Sequence, residues 1–359
     1  MSVPDPNRPA VSIIVPARNE EACLGRCLES LAQQRGINFE IIVVDDGSTD
    51  ATRKIAESFP EVRVLDAAPL PPGWSGKTNA MLTGARSAHG VWLLFTDADT
   101  VHLPGSLARA VAEVKQHGAA LLSYSPRQEV HGLWQRAVMP VIFAELAATY
   151  KPSHVSDAAS PAAAANGQYL LISREAYDAV GSHAAIASSL LEDVALARAV
   201  KASGRTIFFR FGGDAVRTRM YRSFAELREG WTKNLALLFP SAARLATMRF
   251  LEFLLIAASL AELVFALSEG RARVAIGSGI VALLLLASFF ARIRKAHFSW
   301  DAEALSFLGL PGFSYLLLRS RLFHKKGRVT WKGRQYRGSS TSPSEQSVGL
   351  HDNARSWST

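Results

Sequence analysis

The sequence predicts an α/β domain with a mostly parallel sheet and helices on both faces, followed by C-terminal membrane helices. Two observations predict the α/β part. Short apolar runs recur as far as about residue 125, and segments with helical periodicity separate them. Strands that alternate with helices in this way form parallel sheets. Long apolar segments beyond residue 245 predict the membrane helices.

The strands and helices of the first part follow from local patterns. Helices are predicted over Glu20–Gln33 and Thr49–Ser58, the second entered through a polar Asp-Gly-Ser-Thr-Asp segment. Cys23 and Cys27 share a helix face with leucines, so we expect core residues rather than a metal pair. Buried strands are predicted over Val11–Val15, Glu40–Val44, Val62–Leu65, Val91–Phe95 and Ala119–Ser123.

The second part of the domain is less regular. Gly132–Tyr150 is an apolar helix, either in the core or at a membrane interface, and Lys151–Ala165 is a mobile loop rich in Ala, Ser and Pro. The remaining predicted elements are strands over Tyr169–Ser173 and Thr206–Arg210 and helices over Arg174–Val180 and Val194–Ser203.

Two apolar segments, Phe250–Leu267 and Val274–Phe290, approach the length of a bilayer span. Glu252 and Glu262 interrupt the first segment, so we expect it to pack against other helices. Leu305–Leu318 contains Leu-Pro-Gly and is short for a span, which favours a re-entrant or interfacial helix.

The charge distribution favours a membrane surface as partner. The net charge is +9, and eight basic residues with no acid among them lie between Arg319 and Arg337. Basic residues next to apolar helices favour anionic lipids, and no nucleic-acid-binding motif occurs, so no nucleic-acid partner is expected. We predict a multi-pass protein of the cytoplasmic membrane with its α/β domain facing the cytosol. This orientation keeps the basic residues of 292–295 and the basic stretch on the cytosolic side, although it places the two arginines of 271–273 on the other side.

Polar residues follow three of the predicted strands. The first strand continues into a segment with Pro16 and Glu20, the second ends near Asp46, and the fourth ends in Asp97-Ala98-Asp99. Parallel sheets bind ligands at the carboxyl ends of their strands. Paired carboxylates there suit Mg²⁺ or Mn²⁺, which bind one or two carboxylates together with substrate phosphates. The alternative is that Asp46 and Asp99 cap the helices that follow.

A further pair of acids, Glu192 and Asp193, stands directly before an apolar segment with helical periodicity. These residues either cap that helix or supply a carboxylate that accepts the proton of an attacking hydroxyl.

Together these motifs, in this order over roughly residues 10–240, resemble those of family 2 glycosyltransferases, which have the GT-A fold and use nucleotide-sugars. The resemblance implies that Asp46 contacts the base of the nucleotide, near Pro16 and Glu20. It also implies that Asp97 contacts the nucleotide and shares a Mg²⁺ or Mn²⁺ ion with Asp99.

The resemblance further implies that Asp193, the second acid of the pair with Glu192, is the catalytic base. Residues 71–78, PPGWSGKT, are not the phosphate loop of an ATPase, because prolines offer no backbone N–H to a phosphate and separate the segment from its strand. In the family, Gly-Lys opens a helix here, so Lys77 is expected to face the diphosphate of the nucleotide-sugar. A solvated lysine is the alternative.

The chain departs from processive members of the family. They carry Gln-x-x-Arg-Trp after the catalytic acids. In Leu227–Trp231 the position of the Gln is occupied by Leu and that of the Arg by Gly, which predicts a single transfer. Arg228 or Lys233 is a candidate for the missing positive charge. Trp231 either stacks on the acceptor or lies in the core, and His183 either positions the acceptor or is an ordinary loop residue.

Several segments resemble the carotenoid- and hopanoid-associated membrane branch of the family, namely Pro71–Lys77, Gly181–Ala184, Leu191–Leu196 and Val329–Arg334. The chain is therefore expected to be a membrane-bound, metal-dependent, inverting enzyme that moves one sugar from a UDP-sugar, UDP-glucose in our prediction, to a lipid acceptor such as a carotenoid or hopanoid. The alternatives are transfer to a polyprenyl phosphate, and a membrane protein that binds nucleotide-sugars without catalysis.

The predicted domains follow this assignment. They are an N-terminal tail (1–9), a nucleotide-sugar-binding half (10–125), an acceptor and catalytic half (126–245), membrane-spanning and membrane-associated helices (246–320), a basic juxtamembrane stretch (321–337) and a disordered tail (338–359).

Overall fold

The computed structural model of the protein describes residues 8–331 and 334–336. The predictions for residues 1–7, for part of the basic stretch 321–337 and for the tail 338–359 lie outside the described residues. The described chain divides into two compact units. The first contains the residues up to Val130 together with Glu145–Met220, and the second contains His131–Ala144 together with the residues from Tyr221 onward.

The first unit is built on a seven-stranded sheet. The strands of this unit are β1 Val11–Ala17, β2 Phe39–Asp45, β3 Val62–Asp66, β4 Trp92–Phe95, β5 Thr100–His102, β6 Leu121–Ser125, β7 Arg127–Gln128, β8 Leu170–Ser173, β9 Ile207–Phe211 and β10 Val216–Thr218. The large sheet has the order β3-β2-β1-β4-β8-β6-β9. Only β8 runs antiparallel to its neighbours in this sheet, so the prediction of a mostly parallel sheet is confirmed.

Helices cover both faces of the large sheet, as predicted. The helices of the first unit are α1 Leu24–Ala32, α2 Thr52–Glu57, α3 Gly76–Ser87, α4 Ser106–Gln116, α6 Pro152–Ser156, α7 Arg174–Ala179 and α8 Glu192–Ala202, and α5 Gly132–Thr149 passes from the second unit into the first. Leu28 of α1 and Val111 of α4 pack on one face, and Met81 of α3 and Leu196 of α8 pack on the other. Cys27 is fully buried among the leucines of α1, as predicted for a core residue. The same prediction was wrong for Cys23, which precedes the first residue of α1 and is only half-buried.

A second, three-stranded sheet in the order β5-β10-β7 was not predicted. Strand β10 is antiparallel to β5 and parallel to β7. Its strands have two or three residues each, which is too short for an apolar alternation to be recognised in the sequence.

The predicted loop over Lys151–Ala165 contains the short helix α6. Val155 of this helix is fully buried, and Nζ of Lys201 donates hydrogen bonds to the carbonyl oxygens of Val155 (2.7 Å) and Ala162 (2.6 Å). This segment has no apolar periodicity, and the lysine that binds it lies far along the chain, so composition alone predicted a loop.

The second unit is mostly helical. Besides the first part of α5 it contains α9 Phe224–Leu238, α10 Ala242–Ser268, α11 Ala272–Ile293, α12 Trp300–Leu305, α13 Gly309–Lys325 and the short hairpin of β11 Val329–Trp331 with β12 Arg334–Tyr336. Hydroxyl groups join these helices. Ser320 of α13 donates to the carbonyl oxygen of Thr232 on α9 (2.7 Å), and Ser314 donates to that of Ala246 on α10 (2.9 Å).

Helices α10 and α11 are long and apolar enough to cross a membrane, by length and composition. Many of their large side chains are exposed, among them Leu255 and Leu283. Glu252 of α10 forms ion pairs with Arg292 of α11 (2.8 Å) and with Arg249 (2.9 Å). The expectation that the first apolar segment packs against another helix is therefore confirmed, and Glu252, one of the two acids that interrupt it, is paired with arginines.

Gly84 tests the packing of α3 on the sheet. A Cβ at this position would lie 2.6 Å from Cγ2 of Ile14 and 3.1 Å from Cγ2 of Val44. Alanine normally stabilises a helix relative to glycine, but here Gly84→Ala is expected to destabilise the chain by about 1–3 kcal/mol, because the core is already filled. Thermal unfolding of the full chain in detergent measures the loss. Arg86→Ala, an exposed change in the same helix, is the control and should change stability by less than about 0.5 kcal/mol. A more stable Gly84→Ala variant would contradict the packing described.

Candidate active site

The loops after β1, β2 and β4 meet at one edge of the large sheet, as the sequence predicted. The amide of Asp46 donates to the carbonyl oxygen of Ala17 (2.9 Å), and the amide of Thr96 donates to that of Ile14 (3.1 Å). These bonds continue the parallel pairing of the three strands past the end of β2 and β4. The carboxylates that follow these strands are thereby placed on the ligand-binding edge of an α/β sheet.

The first two loops are bound to each other by side chains. Asn19 has a left-handed backbone (φ 53°), and its side-chain oxygen accepts a hydrogen bond from the amide of Thr49 (2.9 Å). The amide of Asn19 donates to Oγ of Ser48 (3.0 Å), and the amide of Glu20 donates to the hydroxyl of Thr52 (2.7 Å). These bonds fix the loop after β1 against the loop after β2.

Asp46, the sequence-predicted residue of the loop after β2, lies against the half-buried Arg18. Nη1 of Arg18 donates to the carbonyl oxygen of Asp46 (2.8 Å) and lies 3.8 Å from its carboxylate. Asp46 is buried, with 9% of its surface exposed. The carboxylate of Glu20 accepts a hydrogen bond from the thiol of Cys23 (3.2 Å), and Pro16 is half-buried at the end of β1. Arg18 was not singled out from the sequence, because a lone arginine in a polar segment carries no signal of its own.

Lys77 lies in the first turn of α3, where its ammonium group joins two carboxylates. Ser75 caps this helix, its hydroxyl accepting a hydrogen bond from the amide of Thr78 (3.0 Å). Nζ of Lys77 is 2.8 Å from Oδ1 of Asp97 and 2.8 Å from Oε1 of Glu192. Burial by itself lowers the pKa of Lys77, but Asp97 and Glu192 outweigh it and hold the pKa well above its ordinary value. The lysine is therefore a permanent cation, and the alternative of a freely solvated side chain does not hold.

Asp193 lies beside this cation in the first turn of α8. Its carboxylate accepts hydrogen bonds from the amides of Gly167 and Val194, both at 2.8 Å. Burial, and then the charge of Glu192, raise the pKa of Asp193 from 3.8 to about 6, while Lys77 and the two amides oppose the rise. A carboxyl group with this pKa is largely ionised at neutral pH and holds a proton more readily than an ordinary aspartate, as a general base requires.

Gly167 is a site residue that the sequence analysis missed. A Cβ there would lie 3.3 Å from Nζ of Lys77 and 3.5 Å from carboxylate oxygens of both Asp193 and Glu192. Glycine thus lets the backbone approach the side chains of Lys77, Glu192 and Asp193 closely and donate its amide hydrogen to Asp193. The available signal was an Asn-Gly pair directly before a predicted strand, which we treated only as the end of a loop.

A buried network supports the backbone of Asp97 from below. The hydroxyl of Thr100 donates to the carbonyl oxygen of Asp97 (2.7 Å), and that of Thr96 donates to the carbonyl oxygen of Gln168 (2.8 Å). Nε2 of His102 lies 3.1 Å and 3.2 Å from these two hydroxyl oxygens. Because each hydroxyl proton is already donated, the ring N–H of His102 is the donor. Burial lowers the pKa of His102 to about 3, so the ring is neutral.

Asp97 and Asp99 fit Mg²⁺ or Mn²⁺ by the chemistry of their donors. Both carboxylates are half-buried and come from one loop after β4, with Ala98 buried between them. No group of three or more His, Cys, Asp or Glu side chains within the described part of the chain is placed to hold a metal ion. Two hard oxygen donors suit a cation that takes its other ligands from substrate phosphates, whereas a zinc site needs three or four protein ligands.

His183 lies in the turn after α7 and is buried in the first unit. Its Nδ1 is 2.8 Å from the hydroxyl of Tyr177, and its ring packs edge-on against Phe95 with the centroids 4.7 Å apart. Burial lowers the pKa of His183 to about 4, with Glu192 opposing and Lys77 adding to the change. The neutral ring thus lies near the charged cluster. Its proposed role toward an acceptor stays a prediction.

Trp231 and Lys233 belong to α9 of the second unit. The indole of Trp231 is 2% exposed, and it packs edge-on against Phe143 while its N–H donates to Sδ of Met139 (3.3 Å). This placement favours the core alternative for Trp231. The carbonyl oxygen of Lys233 is bonded to the ring of His324 on α13 (2.8 Å). A contact of Trp231 or Lys233 with an acceptor stays a prediction.

A double-mutant cycle tests the interaction between Lys77 and Glu192. Lys77→Met removes the cation that Glu192 binds, and Glu192→Gln removes one of the two carboxylates that bind Lys77. We therefore expect a coupling energy of about 1–3 kcal/mol in unfolding measurements. The exposed pair of Arg205 and Glu175, at 3.4 Å, is the control and should couple by less than about 1 kcal/mol. Equal coupling in the two cycles would contradict the central place of Lys77.

Comparison with known proteins agrees with this geometry. Residues 12–180 match the family model described as Glycosyl transferase family 2. The chain is 28% identical over 342 residues to 4,4'-diaponeurosporenoate glycosyltransferase of Staphylococcus aureus strain MRSA252, and the match covers 92% of this chain and 89% of the relative. The same protein of strain USA300 matches with the same identity and coverage.

The fold is similar to that of a solved mannosyltransferase from Pyrobaculum calidifontis, which is in complex with GDP-Man and Mn²⁺. The TM-score is 0.53 and the identity 19%, with 89% of this chain and 88% of the other covered. This similarity confirms the GT-A fold that the sequence predicted. The match of residues 12–180 supports the resemblance to glycosyl transferase family 2 that the sequence motifs indicated.

Proposed function

We propose that the protein is a membrane-bound, inverting glycosyltransferase that moves one glucose from UDP-glucose to a carotenoid acceptor. The observation that carries the proposal is the charged cluster of Lys77, Asp97, Glu192 and Asp193. It combines a permanent cation with a carboxyl group whose pKa is raised to about 6, at the ligand-binding edge of the sheet. A cation for a departing diphosphate and a base for an acceptor are the two groups that this transfer needs.

In this proposal the loops after β1 and β2 bind the nucleotide. Asp46 contacts the base, Pro16 and Glu20 line the same pocket, and Asp97 contacts the nucleotide from the loop after β4. The hydrogen bonds between Asn19 and the loop after β2 support this role, because they hold the pocket in shape before the ligand arrives.

Lys77 would stabilise the diphosphate as it leaves, together with the free amides at the start of α3. In the structure the ammonium group is shared by Asp97 and Glu192, so the arriving phosphate would take over part of its coordination. Asp97 and Asp99 would hold Mg²⁺ or Mn²⁺, which when bound supplies further positive charge beside the diphosphate.

Asp193 is the proposed general base, with Glu192 tuning its pKa. The acceptor oxygen forms a bond to the anomeric carbon from the face opposite the nucleotide, and the bond from that carbon to the diphosphate oxygen breaks with its electron pair. The acceptor proton passes to Asp193, and UDP leaves. One displacement of this kind inverts the anomeric configuration and needs no covalent intermediate on the enzyme.

The acceptor is proposed from the relatives, whose names specify a carotenoid carboxylate, 4,4'-diaponeurosporenoate. A carboxylic acid at a membrane surface has a raised pKa, because desolvation disfavours its charged form. The raised pKa of Asp193 matches such an acid, so a proton can pass from one to the other at little cost. A hydroxyl group on a carotenoid or hopanoid would depend on Asp193 even more strongly.

The proposed location is the cytoplasmic membrane, with α10 and α11 as spans and the first unit in the cytosol. The length and exposed apolar surface of both helices support the spans. The basic residues that follow α11 and continue through α13 support the orientation, because positive charge is retained on the cytosolic side.

Asp193→Asn tests the assignment of the base. The asparagine cannot accept the proton, so transfer to a hydroxylated carotenoid should fall about 10²- to 10⁴-fold while binding of UDP-glucose stays near that of the wild type. Radiolabelled sugar in the lipid phase measures transfer, and equilibrium dialysis measures binding. A variant with normal turnover would show that another group is the base.

The pH profile gives a second outcome of the same test. The base must be unprotonated, so kcat/KM of the wild type should rise as the pH rises through about 6 and level off above it. In Glu192→Gln the rise should move to lower pH, because the charge of Glu192 raises the pKa of Asp193. Efficient transfer to undecaprenyl phosphate without this rise would instead favour a polyprenyl phosphate acceptor, which is already ionised.

A further inference from the structure

Three arginines lie on or directly after the strands of the small sheet β5-β10-β7. Arg217 of β10 stands opposite Arg127 of β7 in the register, and Arg219 directly follows the end of β10. Thr218 is buried, whereas Arg217 and Arg219 on either side of it are partly exposed. The alternation is the same in β5, where Val101 is partly exposed between two buried residues. We call Arg127, Arg217 and Arg219 the arginine face.

The arginine face has no anionic partner within the described part of the chain. None of its three guanidinium groups forms a hydrogen bond or ion pair with the described residues, whereas Arg210 nearby in sequence binds both Glu113 and Asp214. The Nε atoms of Arg217 and Arg219 are buried and have no acceptor there. A buried donor without an acceptor costs free energy that a bound acceptor would recover.

Like charges also face each other across the strands. Neighbouring strands lie about 4.7–4.9 Å apart, so Arg127 and Arg217 are close enough to repel. An anion between them would remove this repulsion. The planar guanidinium group binds carboxylate and phosphate oxygens through two parallel hydrogen bonds, which a lysine cannot do.

Strand β10, which carries Arg217, also contacts the loops near the candidate active site through its buried residue Thr218. The hydroxyl of Thr218 donates to the carbonyl oxygen of Asp99 (3.3 Å) and accepts a hydrogen bond from the side chain of Gln168 (3.2 Å). Gln168 follows Gly167, whose amide is bonded to Asp193. An anion on the arginine face would therefore bind the same strand, β10, that contacts the loop of Asp99 through Thr218.

We propose that the arginine face binds an oxyanion, a carboxylate or a phosphate, carried by a lipid. This inference rests on the membrane association in the proposed function but not on its chemistry. The lipid is favoured over a free anion because Arg127 is exposed and the partly exposed Val101 stands opposite Arg217, so an apolar chain can leave the site next to its charged end. The oxyanion has two possible sources, the carboxylate of the acceptor and the phosphate of a membrane lipid.

Binding to the detergent-purified full chain tests the proposal. The probes are retinoic acid, an apolar polyene with a carboxylate, retinol as its neutral counterpart, dihexanoylphosphatidylglycerol and inorganic phosphate. The wild type should bind at least one lipid-borne anion more tightly than retinol, and the binding should weaken as salt is raised. Arg217→Gln with Arg219→Gln should weaken that binding about ten- to hundredfold, and the paired changes to Lys should recover part of it.

Arg86→Gln is the matched control, because it removes an exposed arginine from α3 without touching the arginine face. A loss restricted to retinoic acid would identify the acceptor carboxylate as the source, and a loss restricted to dihexanoylphosphatidylglycerol would identify a lipid headgroup. The proposal is overturned if the Gln variants bind both probes like Arg86→Gln, or if inorganic phosphate binds as tightly as the lipids. Since no turnover is measured, failure here leaves the proposed transfer untouched, and failure of transfer leaves this result untouched.

Discussion

The ammonium group of Lys77, held between Asp97 and Glu192, is the interaction on which the rest of the site depends. It joins three segments that are distant in the sequence, namely the start of α3, the loop after β4 and the start of α8. Without this cation the three acids Asp97, Glu192 and Asp193 would repel one another in a poorly solvated place. The ion pairs thus compensate the cost of bringing the carboxylates together, and they leave a positive charge where a diphosphate would depart.

The pKa of Asp193 is set by opposing effects of its surroundings. Lys77 and the amides of Gly167 and Val194 stabilise the charged form of Asp193, but burial and the charge of Glu192 oppose them and prevail. The outcome is a carboxyl group that exchanges its proton near neutral pH while its neighbour stays bound to the lysine. Environments that raise the pKa of a carboxyl group beside other charged groups in this way are typical of acid–base sites.

Much of the fold followed from the sequence, because its strands are apolar and its helices periodic. The strand-end motifs also indicated that Asp46, Asp97 and Asp99 would lie close together, since parallel strands bring their carboxyl ends to one edge. The sequence did not indicate that Lys77 would bind both Asp97 and Glu192. That contact depends on side chains from α3 and α8 that meet only in three dimensions.

Residues that act through the backbone, or through long-range contacts, escaped prediction for similar reasons. Gly167 is recognisable as important only once the three charged groups around it are placed. The strands of the small sheet are too short to show periodicity, so the sequence did not indicate that Arg127 and Arg217 would lie side by side. The alternatives for Trp231 stayed open because burial of an aromatic residue cannot be told from its neighbours in sequence.

Transfer itself is the most direct test of the account. The detergent-purified chain is incubated with Mn²⁺, radiolabelled UDP-glucose and a panel of a carotenoid carboxylate, a hydroxylated carotenoid, a hopanoid alcohol and undecaprenyl phosphate. The account predicts that label enters a carotenoid, and that chelation or Asp99→Ala abolishes the transfer, with Mn²⁺ restoring it only after chelation. Tight binding of UDP-glucose without transfer to any acceptor, and without hydrolysis, would contradict it and would indicate a protein that binds the nucleotide-sugar without catalysis.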